Sequence, residues 1–264
     1  MLPGVYIDTK KNGEKNYRAS ITLDGKHISL GSYDNEIQAS AAYSLAYEIL
    51  NDKKHSLYNY SESYPIKFDK YISLINLREN KLYFSNPIFI RKRFFSYFYS
   101  PFEELKFDMD DLFFFSQHKI MCRGNHYFVS EYGMQTSVRE RFGIKSFAVE
   151  GRDFIFVNSD SLDFRRENIK LINNYYGVTV EEKKLKRIYK ATIHIKSNYV
   201  IGKYKTEEAA AIAYNKAVDI LTSNGFDRNF FQNYIEGISN REYAEIYSSV
   251  KISDTILNLR PESL

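Results

Sequence analysis

Lys190, Thr192, His194 and Lys196 occupy every second position of one short stretch, with Ala191, Ile193 and Ile195 between them. A period of two sends the first set to one face of a strand and the second set to the other. Asn198 follows the stretch, and Lys183, Lys184, Lys186 and Arg187 precede it. Near the opposite end of the chain Arg18, Ser20 and Thr22 alternate with Tyr17, Ala19, Ile21 and Leu23, and His27 comes shortly after. Ammonium and guanidinium groups neutralise phosphates, while hydroxyl, imidazole and amide groups exchange hydrogen bonds with base edges. A row of polar side chains equally suits a sheet face turned to water, and alternation by itself leaves both readings open.

Two further groupings could carry chemistry. Asn158 to Leu171 reads NSDSLDFRRENIKL, which sets Asp160, Asp163 and Glu167 beside Arg165, Arg166 and Lys170, with His118 and His126 upstream as candidate general bases. Arg91-Lys-Arg93-Phe-Phe-Ser-Tyr-Phe-Tyr99 interleaves cations with rings. Such a segment can stack on bases, form a strand buried on one face with a basic edge, or hold a small nucleotide effector between arginine and aromatic rings.

The elements that must position these residues are written twice. Gly31 to Leu50 (GSYDNEIQASAAYSLAYEIL) and Gly202 to Leu221 (GKYKTEEAAAIAYNKAVDIL) align without a gap, and Tyr17-Arg-Ala-Ser-Ile21 and Gly4-Val5 find counterparts in Tyr189-Lys-Ala-Thr-Ile193 and Gly177-Val178. In each copy, strand-like runs flank turn signals at Lys11-Asn12-Gly13, Asp24-Gly25 and Ser197-Asn198. Asn35 and Thr206 then open helices whose alanines, with Tyr43 and Tyr214, fall on one face and are expected to seal helix against sheet. A three-stranded antiparallel sheet packed on one helix is predicted at each end.

The order Gly-Val, Tyr-(Arg/Lys)-Ala-(Ser/Thr)-Ile, Gly-x-Tyr, Glu-x-x-Ala-x-x-Ala-Tyr-x-x-Ala resembles the Apetala-2/ethylene-response-factor DNA-binding domain, in both copies. The resemblance implies a sheet laid in the major groove of double-stranded DNA. By position its outer face is Tyr6, Asp8, Arg18, Ser20, Thr22, His27 and Ser29 in the first copy, and Thr179, Glu181, Lys190, Thr192, His194, Asn198 and Val200 in the second. Most of the family's arginine and tryptophan readers are absent. Asn158 to Leu171 is similar to the closing half of an HNH homing-endonuclease finger, matched at Asn158, Asp160, Leu162, Asp163, Arg165, Glu167 and Asn168. The finger's catalytic Asp-His pair falls at Ile155-Phe156 and its middle Asn at Phe164, and none of these side chains can take a proton or hold a metal. The centre is therefore read as a structural remnant without catalysis, still able to grip DNA through Arg165, Arg166 and Lys170. An active endonuclease of a mobile element, and an effector-binding or assembly module, stand as alternatives.

Charge separates the copies. Residues 1–50 carry five bases against six acids, while residues 174–221 carry nine against five, a net of +4. The second copy has the stronger footprint for a phosphate backbone. A single cysteine, Cys122, excludes a disulfide framework within the chain and a Cys-based zinc knuckle. No signal-peptide pattern and no apolar run of about 20 residues occurs, so a cytoplasmic, nucleoid-associated protein with no membrane partner is expected. The reading is α+β, in five segments: a first module (1–54), an aromatic-rich stretch (55–117), a degenerate HNH-like ββα centre (118–173), a second module (174–225) and a helical tail (226–264). The expected partner is double-stranded DNA bound sequence-specifically by a regulator of bacterial or phage type. No metal and no cofactor is expected, and a homodimer through the tail or the central segment is a further expectation.

Overall fold

The computed structural model describes residues 1–9, 14–23, 25–183 and 186–263; the turn read at Lys11-Asn12-Gly13, Asp24, Lys184 and the side chain of Lys183 lie outside the described residues. The chain is mixed α+β, as its patterning predicts. It divides into two units, one of Met1–Val138 with Asp160–Asn168, the other of Arg139–Ser159 with Ile169–Leu264. Each unit holds one copy of the repeat, and the stretch read as a central segment is shared between them.

In the first unit, β1 (Val5–Thr9), β2 (Lys15–Leu23) and β3 (Lys26–Tyr33) form an antiparallel sheet in that order. Ala19, Ile21, Ile28 and Leu30 turn inward onto Ala39, Ala42, Ala46 and Ile49 of α1 (Glu36–Asn51). The methyl side chains let the helix backbone lie close to the sheet. Asn35 caps α1 by accepting the Gln38 N–H at 2.9 Å. Next, α2 (Phe68–Asn80), buried from Tyr71 to Leu77, packs along α1. A second sheet follows, β4 (Ile88–Ile90), β5 (Phe94–Ser100) and β6 (Glu103–Asp108). After the short α3 (Leu112–Gln117) comes a third, β7 (Ile120–Arg123), β8 (His126–Glu131) and β9 (Met134–Ser137). Residues 160–168 complete this unit: the Phe164 N–H donates to the Lys106 carbonyl at 2.8 Å, and the Phe164 ring stacks on Phe107 at 5.6 Å.

A short helix, α4 (Val138–Arg141), leads into the second unit, where β10 (Phe154–Phe156) and β11 (Ile169–Leu171) form a two-stranded ribbon. The expected ββα finger is not completed, because β11 is followed directly by the second module's first strand, β12 (Val178–Lys183). With β13 (Lys186–His194) and β14 (Asn198–Tyr204) it makes the repeated sheet, covered by α5 (Glu207–Ser223). In the tail, Ser239 caps α6 (Asn240–Ser249) as read from the sequence, and α7 (Asp254–Asn258) follows. Both helices pack on α5, which occupies the apolar face that could otherwise have served a second subunit. No described helix is long and apolar enough to cross a membrane.

The repeat is reproduced in detail. In each copy the middle strand meets a bulge at the equivalent step, Ala19/Ser20 and Ala191/Thr192. Gly4 and Gly177 both have positive φ, +71° and +73°, and each faces the ring of its own module's helix tyrosine, Tyr43 or Tyr214. Tyr33 and Tyr204 donate their hydroxyls to backbone carbonyls of the segment packed next to the module, Pro65 and Lys251, each at 2.8 Å.

Candidate nucleic-acid interface

The side of the second sheet away from α5 is set by strand register. Thr179 lies opposite Lys190, which lies opposite Lys203; Thr192 faces Val200, and His194 faces Asn198. Glu181 joins this face and binds Lys203 Nζ at 2.7 Å, with Lys190 Nζ at 4.0 Å. Two ammonium groups thus share one carboxylate, and Lys186 extends the row at the strand's other end. His194 Nδ1 lies 2.9 Å from Asn198 Oδ1. That oxygen can only accept, so Nδ1 donates and the neutral ring keeps Nε2 as an acceptor. The Thr192 hydroxyl donates to Gly177 O at 3.3 Å, which ties β13 to the start of β12.

Lys203 did not follow from alternation, and the bulge explains why. Asn198 and Val200 point outward with even numbers, the extra residue at the bulge inverts the parity, and Lys203 emerges on the same face. Two expected members of the row stand elsewhere. The ladder of β13 ends at His194, and Lys196 sits exposed in the turn beyond it, where the Ile195 N–H donates to Ser197 O at 3.1 Å. Arg187 shares its parity with Tyr189, Ala191 and Ile193, the row that faces the helix, and at the strand's exposed end it pairs with Glu182 at 3.3 Å. Lys183 and Lys184 fall at the edge of, or outside, the described residues.

The first sheet builds the same face with a different charge. Arg18 is paired with Asp8 at 3.4 Å, both about half exposed, so the pair contributes no net charge. Ser20, Ser29 and Ser32 lie along it, and Thr22 Oγ1 approaches His27 Nδ1 across the hairpin at 3.4 Å.

The central cations have other occupations. Arg165 grips Asp163, which is fully buried, through two contacts of 2.8 and 2.6 Å and also reaches Glu167 at 2.7 Å. Arg166 meets Asp108 and the buried Asp111 at 3.2 and 3.0 Å. These guanidiniums help hold the first unit together, Arg165 partly buried and Arg166 still about half exposed, while Lys170 is exposed on β11. At the positions of the finger's catalytic pair, Ile155 is half-buried and Phe156 packs edge-on to Phe154. Asn168 donates to the carbonyls of Asp160 and Asp163 at 3.2 and 2.9 Å and so closes the loop between them. His118 stacks on Phe114 at 4.2 Å with Nδ1 bonded to that residue's carbonyl, while His126 is exposed at the start of β8. No cluster of three metal-ligating side chains forms among the described residues.

The rings between Arg91 and Tyr99 are core. Phe95, Ser96, Tyr97 and Phe98 are all buried, and burial pushes the Tyr97 phenol far above its usual range while its oxygen accepts the Ile120 N–H at 3.0 Å. Arg91 is bound to Glu104 at 2.9 Å and to the Ser96 hydroxyl at 3.1 Å. Comparison with protein-family models, with curated proteins and with solved structures finds no match for this chain.

Proposed function

We propose that this chain is a non-catalytic double-stranded DNA-binding protein that reads the duplex with the outer faces of its two repeated sheets, as a transcriptional regulator does. The observation that carries the reading is the face of β12–β14. Lys186, Lys190 and Lys203 stand on it against one glutamate, among hydrogen-bonding side chains, on the side left open by the helix. Lysines positioned this way suit phosphates, and His194 and Asn198 suit base edges. The first face, polar and electrically balanced, supplies contacts but little attraction.

The test is binding of a random-sequence duplex over a range of salt concentrations. Lys190→Ala is expected to weaken binding uniformly across sequences and to make the slope of log K against log salt shallower by about one. Unchanged affinity and slope would mean that the face is merely solvated. Arg165→Ala should act on stability, because its partner is a buried carboxylate.

A further inference from the structure

We infer that the first unit carries a second phosphate-binding surface, a basic trough that starts at the edge of its sheet and takes the sugar-phosphate backbone of the DNA lying on that sheet. The inference rests on the DNA-binding reading above. Its starting point is a deficit: Arg18 is cancelled by Asp8, so among the described residues the first face has polar groups but no net charge to hold a polyanion.

The missing charge stands beside β3. A cleft of about 600 Å³ is lined on one wall by Ser29 and Ser32, which belong to the outer face, and on the other by Lys67 and Lys70 at the start of α2. A second cleft of about 470 Å³ is lined by Lys119 and Arg123, with Tyr99 and Phe128 beside them. Asp69 lines both clefts, so they adjoin, and its carboxylate is bound to Lys119 at 3.0 Å. Four cations therefore border the two clefts against one carboxylate. Lys67 and Arg123 make no ion pair with a described residue, and Arg123 rests 5.8 Å from the Phe128 ring centroid. Lys70 is steadied by the Tyr83 hydroxyl at 2.5 Å.

The distribution of these cations selects the ligand. A small nucleotide needs its cations gathered at one end of an enclosed pocket. Here they are divided between two adjoining clefts, with serine hydroxyls at the end that meets the sheet. That arrangement fits successive phosphates of one strand, each met by a separate cation.

The experiment measures the salt dependence of full-length protein binding to a long random-sequence duplex, for wild type and for Lys67→Gln/Arg123→Gln. Both residues lie outside the buried core, so the double variant is expected to keep the wild-type melting temperature. Its log K–log salt slope should be shallower by about two, while Lys67→Arg/Arg123→Lys keeps the wild-type slope. Lys67→Glu alone should weaken binding further than Lys67→Gln. A wild-type slope in the double variant, with Lys190→Ala still reducing it, overturns the trough and leaves the sheet reading standing. Absence of any duplex binding by the wild type overturns both. Stoichiometric binding of adenosine monophosphate that is lost in the double variant, with an unaltered duplex slope, also overturns the trough and makes it a nucleotide pocket.

Discussion

Gly4 and Gly177 sit at the points where each module's first strand begins, and the residue type there is imposed twice over. Their φ values of +71° and +73° lie in a region that side chains disfavour. A Cβ on Gly177 would also come within 2.5 Å of both the Thr192 carbonyl oxygen and the Tyr214 ring, and one on Gly4 would collide with the Tyr43 ring. The two tyrosines differ in their freedom to yield. Tyr214 is 1% exposed and packed edge-on to Tyr176, whereas Tyr43 is only half-buried. Gly177→Ala is therefore expected to cost several kcal/mol, at least about 2, and more than Gly4→Ala, where the ring can swing toward solvent. Urea unfolding of the two variants checks the order, and equal costs would show that backbone strain alone sets the penalty. Tyr214→Ala should cost about 3 kcal/mol or more.

Among the elements, the loop before β10 is tied by a buried charge. The Asp153 carboxylate is 3% exposed, accepts from Arg152 at 2.6 Å, from the Val149 N–H at 2.9 Å and from Asn173 at 3.2 Å. Burial acts to raise its pKa, but these hydrogen bonds outweigh burial and hold it below the usual carboxylate value. A depressed folded-state pKa stabilises above the unfolded value of about 3.9, and the contribution is lost as pH falls through the lower folded value. Asp153→Asn is expected to cost about 1–3 kcal/mol near neutrality and to flatten the fall in melting temperature below pH ~4; thermal melts across that range decide it. Elements of this kind differ in how far the sequence discloses them. Strands half-covered by a helix keep their alternation, which is why both modules, with their caps and bulk topology, could be read. Strand β5 is buried on both faces and α2 almost all round, so neither shows a period, and residues 55–117 stayed unread. Lys203 was hidden by the bulge in its strand, Arg166 looked available because its carboxylate partners, Asp108 and Asp111, lie more than fifty residues away, and Arg165 because nothing in the sequence shows that its neighbour Asp163 is buried.

For the whole molecule, the segment whose sequence is read as resembling a nuclease finger completes the first unit. Residues 160–168 leave the chain of the second unit and pack in the first. There Phe164 joins a run of rings in which Phe107 stacks on Phe115 at 4.2 Å, Lys106 pairs with Asp160 at 2.7 Å, and Asn168 bonds two carbonyls of the loop. Arg165, Arg166 and Asn168 are hydrogen-bonded within the unit, and where the resemblance implies a water-activating pair the chain has Ile155 and Phe156. A general base must keep a lone pair beside the attacking water, and at those positions there is none to offer. Asn168→Ala is accordingly expected to lower stability by about 1–3 kcal/mol, since it removes the side-chain donor shared by the Asp160 and Asp163 carbonyls, and to remove no activity. The measurement that bears on the centre is relaxation of supercoiled plasmid by purified protein with magnesium or manganese. No nicking above buffer is expected, in wild type or in Asn168→Ala. Metal-dependent nicking that disappears in His118→Ala or His126→Ala would make one of those imidazoles the base and give the endonuclease reading precedence over the regulator.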